Sequence, residues 1–135
     1  MIRGIKSRIE MKIIDFKNKC SRFKRGYSYS DVWNMFDWFL EVMPPMLTKL
    51  RDEGIGVPQD LWLEGAENER EKWEVILTEM ITLLALMNED GARNHLEIRD
   101  NDYSVESYRK VNDFMEESKN RFFELFSKYF YNLWD

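Results

Sequence analysis

A short segment that begins at Gly26 places aromatic rings, hydroxyls, an amide and carboxylates close together in the chain. Its members are Tyr27, Ser28, Asp31, Trp33, Asn34, Asp37 and Trp38, and three basic residues, Arg22, Lys24 and Arg25, lie just before it. Aromatic rings stack on planar ligands, guanidinium groups form charge-assisted bonds with phosphate, and carboxylates and amides bond polar edges. The segment therefore favours a polar pocket with aromatic walls for a base or another planar ligand that carries phosphate.

Each side-chain type has its own role in this pocket hypothesis. The stacking residues are Tyr27, Trp33 and Trp38. The phosphate-binding residues are Arg22, Lys24 and Arg25. Asp31 and Asn34 read polar edges of the ligand, with Ser28 beside them. Steps of three to four residues from Asp31 to Asn34, and on to Asp37 or Trp38, predict that these side chains share one helical face.

The same segment has a structural explanation that stays open at this stage. Ser28 followed three residues later by Asp31 is typical of a capping box at a helix N-terminus, and Ser30 is an alternative cap. Polar residues on a buried helix need partners, which Arg22 and Arg25 could supply. In this interpretation the segment is a cap and a salt bridge that hold the first two helices together.

Catalytic chemistry finds little support in the residue types. His95 is the only histidine and no Cys-x-x-Cys pair occurs, so we expect no metal and no cofactor. The acidic spacings Glu71-x-x-Glu74 and Glu97-x-x-Asp100 are the nearest candidates for the magnesium site of an all-α nucleotide pyrophosphohydrolase. Acidic residues at a helix start also suit the helix dipole, which explains the first spacing without a metal site. We therefore expect a protein that is not an enzyme.

Length and composition predict one folded domain over residues 1–135. Apolar residues make up 44% of the chain and charged residues 33%, which supplies a core and excludes the disordered class. Cys20 is the only cysteine, so no intramolecular disulfide is expected, and we find neither a signal segment nor an apolar run long enough for a membrane span. We expect a cytoplasmic protein without a membrane partner.

The net charge of −5 is unevenly distributed along the chain. Residues 1–25 contain nine basic and two acidic residues, a balance of +7, which leaves −12 for residues 26–135. A basic arm on an acidic body suits an anionic ligand, nucleic acid or the acidic body of a neighbouring subunit, and a solvated helix face is the simpler alternative. We expect a homo-oligomer, because the apolar stripe of the basic helix must be covered, and we do not expect nucleic acid binding.

Apolar periodicity predicts an all-α helical bundle of about four long helices. The first is a basic amphipathic helix over residues 2–24 that ends near Gly26. The second begins near Ser28 and is apolar on nearly all sides, which predicts a central and buried position. The Pro44-Pro45 pair is expected to kink this helix or make it restart.

Beyond the second helix, loops and helices alternate in the predicted body, which spans residues 26–135. Residues 54–65 predict an ordered loop that Trp62 and the leucines beside it pin to the core. Residues 91–103 predict a second, polar loop, in which residues 95–98 could extend a helix or form a short strand. A third helix is predicted over about 66–89, and a last helix begins at Ser104 as its N-cap and carries a buried stripe almost to the end of the chain.

Two motifs connect the chain with a known family. The first is Gly26-Tyr27-Ser28-x-x-Asp31-x-Trp33, and the second is the ending Leu133-Trp134-Asp135. Over residues 25–135 the chain resembles a widespread family of small phage-encoded proteins that share a Gly-Phe/Tyr-Ser-x-x-Asp-x-Trp opening and a Leu-Trp-Asp ending. The basic N-terminal helix is not part of that pattern. The resemblance implies a viral protein in the host cytoplasm and assigns no activity.

These observations lead to three functional hypotheses. The first is a non-enzymatic phage accessory protein that acts in counter-defence by binding and sequestering a small anionic ligand, such as a nucleotide immune signal. The alternative is a protein-binding inhibitor or virion-assembly factor that engages a host protein through an acidic helical surface. The third is a magnesium-dependent all-α nucleotide pyrophosphohydrolase.

Overall fold

The computed structural model describes residues 2–63 and 68–135, and every regular element in these ranges is helical. The elements in chain order are α1 (Ile2–Arg25), α2 (Tyr29–Trp33), α3 (Met35–Glu53), α4 (Gln59–Leu63), α5 (Glu69–Leu86), α6 (Glu89–His95), α7 (Val105–Tyr129) and a final 3-10 turn (Phe130–Asn132). The all-α prediction is confirmed. The backbone forms two compact units, residues 1–39 and residues 40–135.

In the first unit, α1 ends at Arg25, directly before Gly26. Gly26 has a positive φ of 80°, a conformation that L side chains rarely adopt, and its amide donates to the carbonyl of Arg22 at 2.8 Å. The chain then extends through Ser28, which is the N-cap of α2. The predicted first helix and its glycine end are therefore confirmed, and Ser28 rather than Ser30 is the cap.

The second predicted helix is interrupted at a different place from the one expected. α2 ends at Trp33, and Asn34 leaves the helical region with φ −144° and ψ 72°. Asn34 then starts α3, because its carbonyl accepts from Trp38 N at 3.2 Å and its side-chain amide donates to the carboxylate of Asp37. α3 runs through Pro44 and Pro45 without a restart. The second predicted helix is thus interrupted at Asn34 rather than at the prolines, and the kink at the prolines stays a prediction.

The expectation of a buried second helix is wrong for its first turns. Val32, Trp33, Met35 and Phe36 are all exposed, and buried residues reappear only further along α3, at Leu47. A helix that is apolar all round needs partners on every side, and α2 with the start of α3 does not have them.

The core of the second unit lies mainly between α5 and α7, with α4 and α6 packed against α5. Its fully buried large side chains are Trp73, Leu77, Met80, Leu84 and Phe122. The ring of Trp73 packs on that of Tyr129 with centroids 5.3 Å apart. The apolar periodicity of both helices predicted this core, although Tyr108 and Phe130, at the two ends of the predicted α7 stripe, are exposed.

Two predicted loops contain short helices. Within 54–65, α4 covers Gln59–Leu63, and Leu61 is buried while Trp62 is 64% exposed, so Trp62 does not pin this segment to the core. Within 91–103, α6 continues to His95. Its N-cap is Asn88, whose side chain accepts from Gly91 N at 2.7 Å. The third helix spans Glu69–Leu86, and the start predicted at residues 66–67 lies outside the described residues. Ser104 caps α7 as predicted, by accepting from Ser107 N at 3.2 Å.

Candidate functional site

The carboxylate of Asp31 is the centre of a hydrogen-bonded cluster that joins α1 to α2. Arg22 binds it with two donors, Nε to Oδ2 at 3.0 Å and Nη2 to Oδ1 at 2.6 Å. Ser28 donates to Oδ2 with both its backbone amide, at 2.7 Å, and its hydroxyl, at 2.9 Å. We call Arg22, Ser28 and Asp31 the Asp31 cluster. Its geometry is that of the cap and salt bridge which the sequence left as the structural alternative.

The Asp31 cluster holds its carboxylate in the charged form. The hydrogen bonds from Arg22 come first and those from Ser28 second, and together they hold the pKa of Asp31 well below its ordinary value of 3.8. A carboxylate that already accepts four donors has little capacity left for the polar edge of a ligand. Ser28 is fully buried, so its hydroxyl is out of reach of a ligand as well.

Acid should loosen the junction between α1 and α2. The pKa of Asp31 is lower in the folded than in the unfolded chain, so the contribution of Asp31 to stability is complete above the ordinary value of 3.8 and is lost as the pH falls through the lower, folded value. We expect the protection factor of the Ser28 amide, which is its intrinsic exchange rate divided by its observed rate, to be lower at pH 2 than at pH 7, because its acceptor is the carboxylate of Asp31. Amide exchange followed by NMR measures this.

The matched controls for the acid effect are two Asp→Asn variants. In Asp31→Asn the protection of the Ser28 amide should already be low at pH 7 and show little pH dependence. Asp37→Asn, which removes an exposed carboxylate six residues away, should leave that protection unchanged. Equal protection in wild type and Asp31→Asn at pH 7 would show that the cluster does not hold the junction.

Beside the Asp31 cluster, the first unit contains an open cavity of about 530 Å³. It is lined by Tyr27, Val32, Met35 and Trp38, together with Arg25, Gly26 and Asp31. The cavity exists because Gly26 turns the chain and because Asn34 ends α2, so that α2 and α3 present apolar residues to one space. Its volume falls within the range of about 300–1,000 Å³ that is usual for small-molecule sites.

The structure brings only part of the predicted ligand-binding set to this cavity. Arg25, Tyr27, Asp31 and Trp38 line it. Lys24, Trp33, Asn34 and Asp37 are not among its lining residues, and neither are Arg22 and Ser28, which bond the Asp31 carboxylate. The ring of Trp33 instead meets the ring of Tyr29 edge-on at 5.9 Å. The expected shared face of Asp31, Asn34 and Asp37 does not form, because the helix is broken at Asn34.

Two lining residues, Val32 and Met35, were missed as site residues. Their signal in the sequence is weak, since apolar residues at a spacing of three are also what an ordinary core helix contains. The fold adds the missing information, because both side chains are exposed and line the same cavity.

The acidic spacings considered for magnesium do not converge on a site. Glu74 forms an ion pair with Arg70 at 2.9 Å, whereas Glu71 is exposed. Among residues 2–63 and 68–135, no group of three or more His, Cys, Asp or Glu side chains is arranged to hold a metal ion. His95 is exposed and stacks on Phe114, with ring centroids 4.9 Å apart and an interplanar angle of 12°.

Comparisons with protein-family models, with characterised proteins and with solved structures give no match for this chain. The resemblance to small phage proteins therefore stays a prediction. In the part of the chain that the structure describes, no helix has the length and apolar character needed to cross a membrane.

Proposed function

We propose that this protein binds a small planar ligand with an anionic group in the cavity beside Gly26, and that it acts by holding this ligand rather than by converting it. The single observation that carries the proposal is the cavity itself, in which two aromatic rings, Tyr27 and Trp38, and the cation Arg25 line one open space. Stacking on aromatic side chains contributes about 1–3 kcal/mol per base, and a guanidinium adds charge-assisted bonds to phosphate.

The charges around the cavity favour an anion over a cation. Asp31 contributes a carboxylate to the edge, but Arg22 neutralises it at 2.6 Å, so Arg25 is the cation left to face a ligand. One guanidinium suits a ligand with one phosphate or carboxylate group more than a chain of phosphates. A nucleoside monophosphate or a cyclic nucleotide has this chemistry.

The counter-defence role is the biological side of the same proposal. It rests on the resemblance to small phage proteins. In this role, the sequestered ligand would be a nucleotide immune signal of the host. The apolar walls and the occupied Asp31 carboxylate support binding without chemistry, because a hydrolase needs a free acid or base beside the reacting group.

Titration calorimetry with a panel of mononucleotides and cyclic nucleotides tests the proposal. We expect Trp38→Ala to weaken binding by about 1–3 kcal/mol through the loss of stacking, and Arg25→Ala to weaken binding most for the ligands with phosphate. The matched control is Trp33→Ala, which removes the same side chain outside the cavity and should leave the affinity unchanged. The nucleotide should be recovered intact.

Two results would contradict this function. If no nucleotide in the panel raises the melting temperature at millimolar concentration, the site does not bind this class, because a ligand specific for the folded state must stabilise it. If Trp33→Ala and Trp38→Ala weaken binding equally, the ligand lies elsewhere.

A protein-binding inhibitor is the second candidate, and one observation favours it. Val32, Trp33, Met35 and Phe36 form a run of exposed apolar residues at the end of α2 and the start of α3. Exposed apolar patches with aromatic residues are typical of protein interfaces. This function predicts that Trp33→Ala impairs activity in infected cells while nucleotide binding is absent.

A further inference from the structure

The described side chains in the apolar stripe of α1 are exposed. Among the described side chains of this stripe, Ile9, Ile13, Cys20 and the two phenylalanines are all exposed, with Phe16 at 68% and Phe23 at 92%. α1 has 24 residues and is therefore about 36 Å long. An apolar stripe of this length on a long helix is the arrangement found where helices associate.

The charge of α1 argues against pairing with a second α1. Residues 1–25 carry nine basic and two acidic residues, so two such helices side by side would bring like charges together along their length. The helix therefore fits an acidic surface. Residues 40–135 contain eleven basic and twenty-one acidic residues, a balance of −10, so another copy of this chain offers such a surface.

The last residues and the loop after α3 expose four apolar side chains of the second unit. These are Ile55, Phe130, Tyr131 and Trp134, and we call them the Trp134 patch. The carboxylate of Asp135 accepts from the backbone amide of Ile55 at 2.7 Å, which holds the loop after α3 against the last residues. The rings of Phe130 and Tyr131 meet edge-on at 5.4 Å. All four apolar side chains are at least half exposed, and Tyr131 reaches 87%.

Acidic side chains lie next to the Trp134 patch. Asp52 and Glu53 are the last residues of α3 before the loop that carries Ile55, and both are mostly exposed. Asp135 adds a third carboxylate at the patch. An apolar centre with an acidic rim is complementary to α1, which has an apolar stripe with basic flanks.

We propose that α1 of one copy docks on the Trp134 patch of a second copy, and that the reciprocal contact closes a dimer. Phe16 and Phe23 enter the apolar centre, and lysines beside them, such as Lys17 and Lys19, face Asp52 and Glu53. Because the two surfaces differ and both are present on every chain, the contact can be made in both directions between two copies. Of the residues that line the ligand cavity, only Arg25, at the end of α1, belongs to either surface.

Sedimentation of the full chain tests this dimer. At low salt we expect a species of twice the 16.4 kDa chain mass. Raising the salt from 50 to 500 mM should weaken association by about tenfold or more, since the charge complement is screened. Phe16→Glu and Trp134→Glu, each of which places a charge in the apolar contact, should each raise the dissociation constant by about 100-fold or more.

A mixing experiment separates this dimer from an α1–α1 pair. Phe16→Glu keeps an intact patch and Trp134→Glu keeps an intact α1, so a mixture of the two should recover association through one contact although neither variant associates alone. The control is Phe36→Glu, which alters an exposed phenylalanine outside both surfaces and should leave the dimer intact. Circular dichroism confirms that each variant keeps its helices, as expected for substitutions of exposed residues.

Three outcomes would overturn the proposal. The wild-type chain could sediment at 16.4 kDa at 100 μM in low salt. Trp134→Glu could leave the dimer unchanged while Phe16→Glu abolishes it, which would show that α1 pairs with α1. The mixture of the two variants could fail to associate although each retains its helical content.

Discussion

Truncating Trp73 to alanine should lower the free energy of unfolding of the chain by about 3–5 kcal/mol. Trp73 is only 1% exposed and stands in α5, facing α7, where its ring packs on Tyr129. The alanine would leave a cavity that the long helices around it cannot close without losing their own contacts. Since a domain of this size has a stability of about 5–15 kcal/mol, the variant should be close to unfolding at 37 °C.

Urea unfolding followed by circular dichroism measures this effect, and Trp62→Ala is its matched control. Trp62 belongs to the same unit and loses the same atoms, but it is 64% exposed in α4, so its truncation should cost no more than about 0.5–1 kcal/mol. If the two substitutions cost the same, the packing between α5 and α7 is not what stabilises the fold.

Replacing Arg93 by alanine should be the second most damaging single change, at about 2–4 kcal/mol. Its side chain is 7% exposed and donates to three acceptors: Glu89 at 3.0 Å, the carbonyl of Asp102 at 3.0 Å and the carbonyl of Arg99 at 3.3 Å. The loop between α6 and α7 is thus tied to α6 by one guanidinium. Without it, the carbonyl of Asp102 loses this donor, the carbonyl of Arg99 keeps only the amide of Asp102 at 3.0 Å, and the loop can separate from the helix.

Arg93→Ala should change local hydrogen exchange as well as the overall free energy of unfolding. Hydrogen exchange should accelerate in residues 96–104 of Arg93→Ala more than in α5, because the loop opens before the core does. Arg93→Lys should recover only part of the loss, since an ammonium cannot reproduce the fork of the guanidinium. The control Arg99→Ala removes an exposed arginine from the same loop and should be nearly neutral. If Arg93→Lys is as stable as wild type, charge alone holds the loop.

The helix ends show how far local signals in the sequence extend. Gly26 was predicted to end a helix, and Ser28 and Ser104 were predicted to cap helix N-termini. Each has that role in the structure. Glycine at positive φ and serine at an N-cap depend on atoms within about four residues, so their effect is readable from the chain alone. Asn34 ends α2 without either of these features, and the apolar run around it and the prolines further on favoured one long helix interrupted at Pro44-Pro45.

The candidate site was only partly predictable for a related reason. The sequence identified the segment from Arg22 to Trp38 and offered two explanations for its polar residues. The structure shows that one part of the set, around Asp31, bonds within itself, and that another part, around Trp38, lines a cavity. Which side chains face each other depends on where α2 ends, at Asn34, and on the angle between α2 and α3. Residue types alone do not give that angle.

The sequence by itself determined the all-α class, the apolar stripes of α5 and α7 and the separation of charge between residues 1–25 and the rest, because periodicity and charge are properties of neighbouring positions. Helical spacing had already marked Trp73 as core, whereas tertiary structure alone decided that Trp62 and Trp134 lie on the surface and that Arg93 is a buried anchor although arginine is usually exposed. Burial is a relation between segments far apart in the chain, so identical side chains acquire opposite roles only when the helices pack.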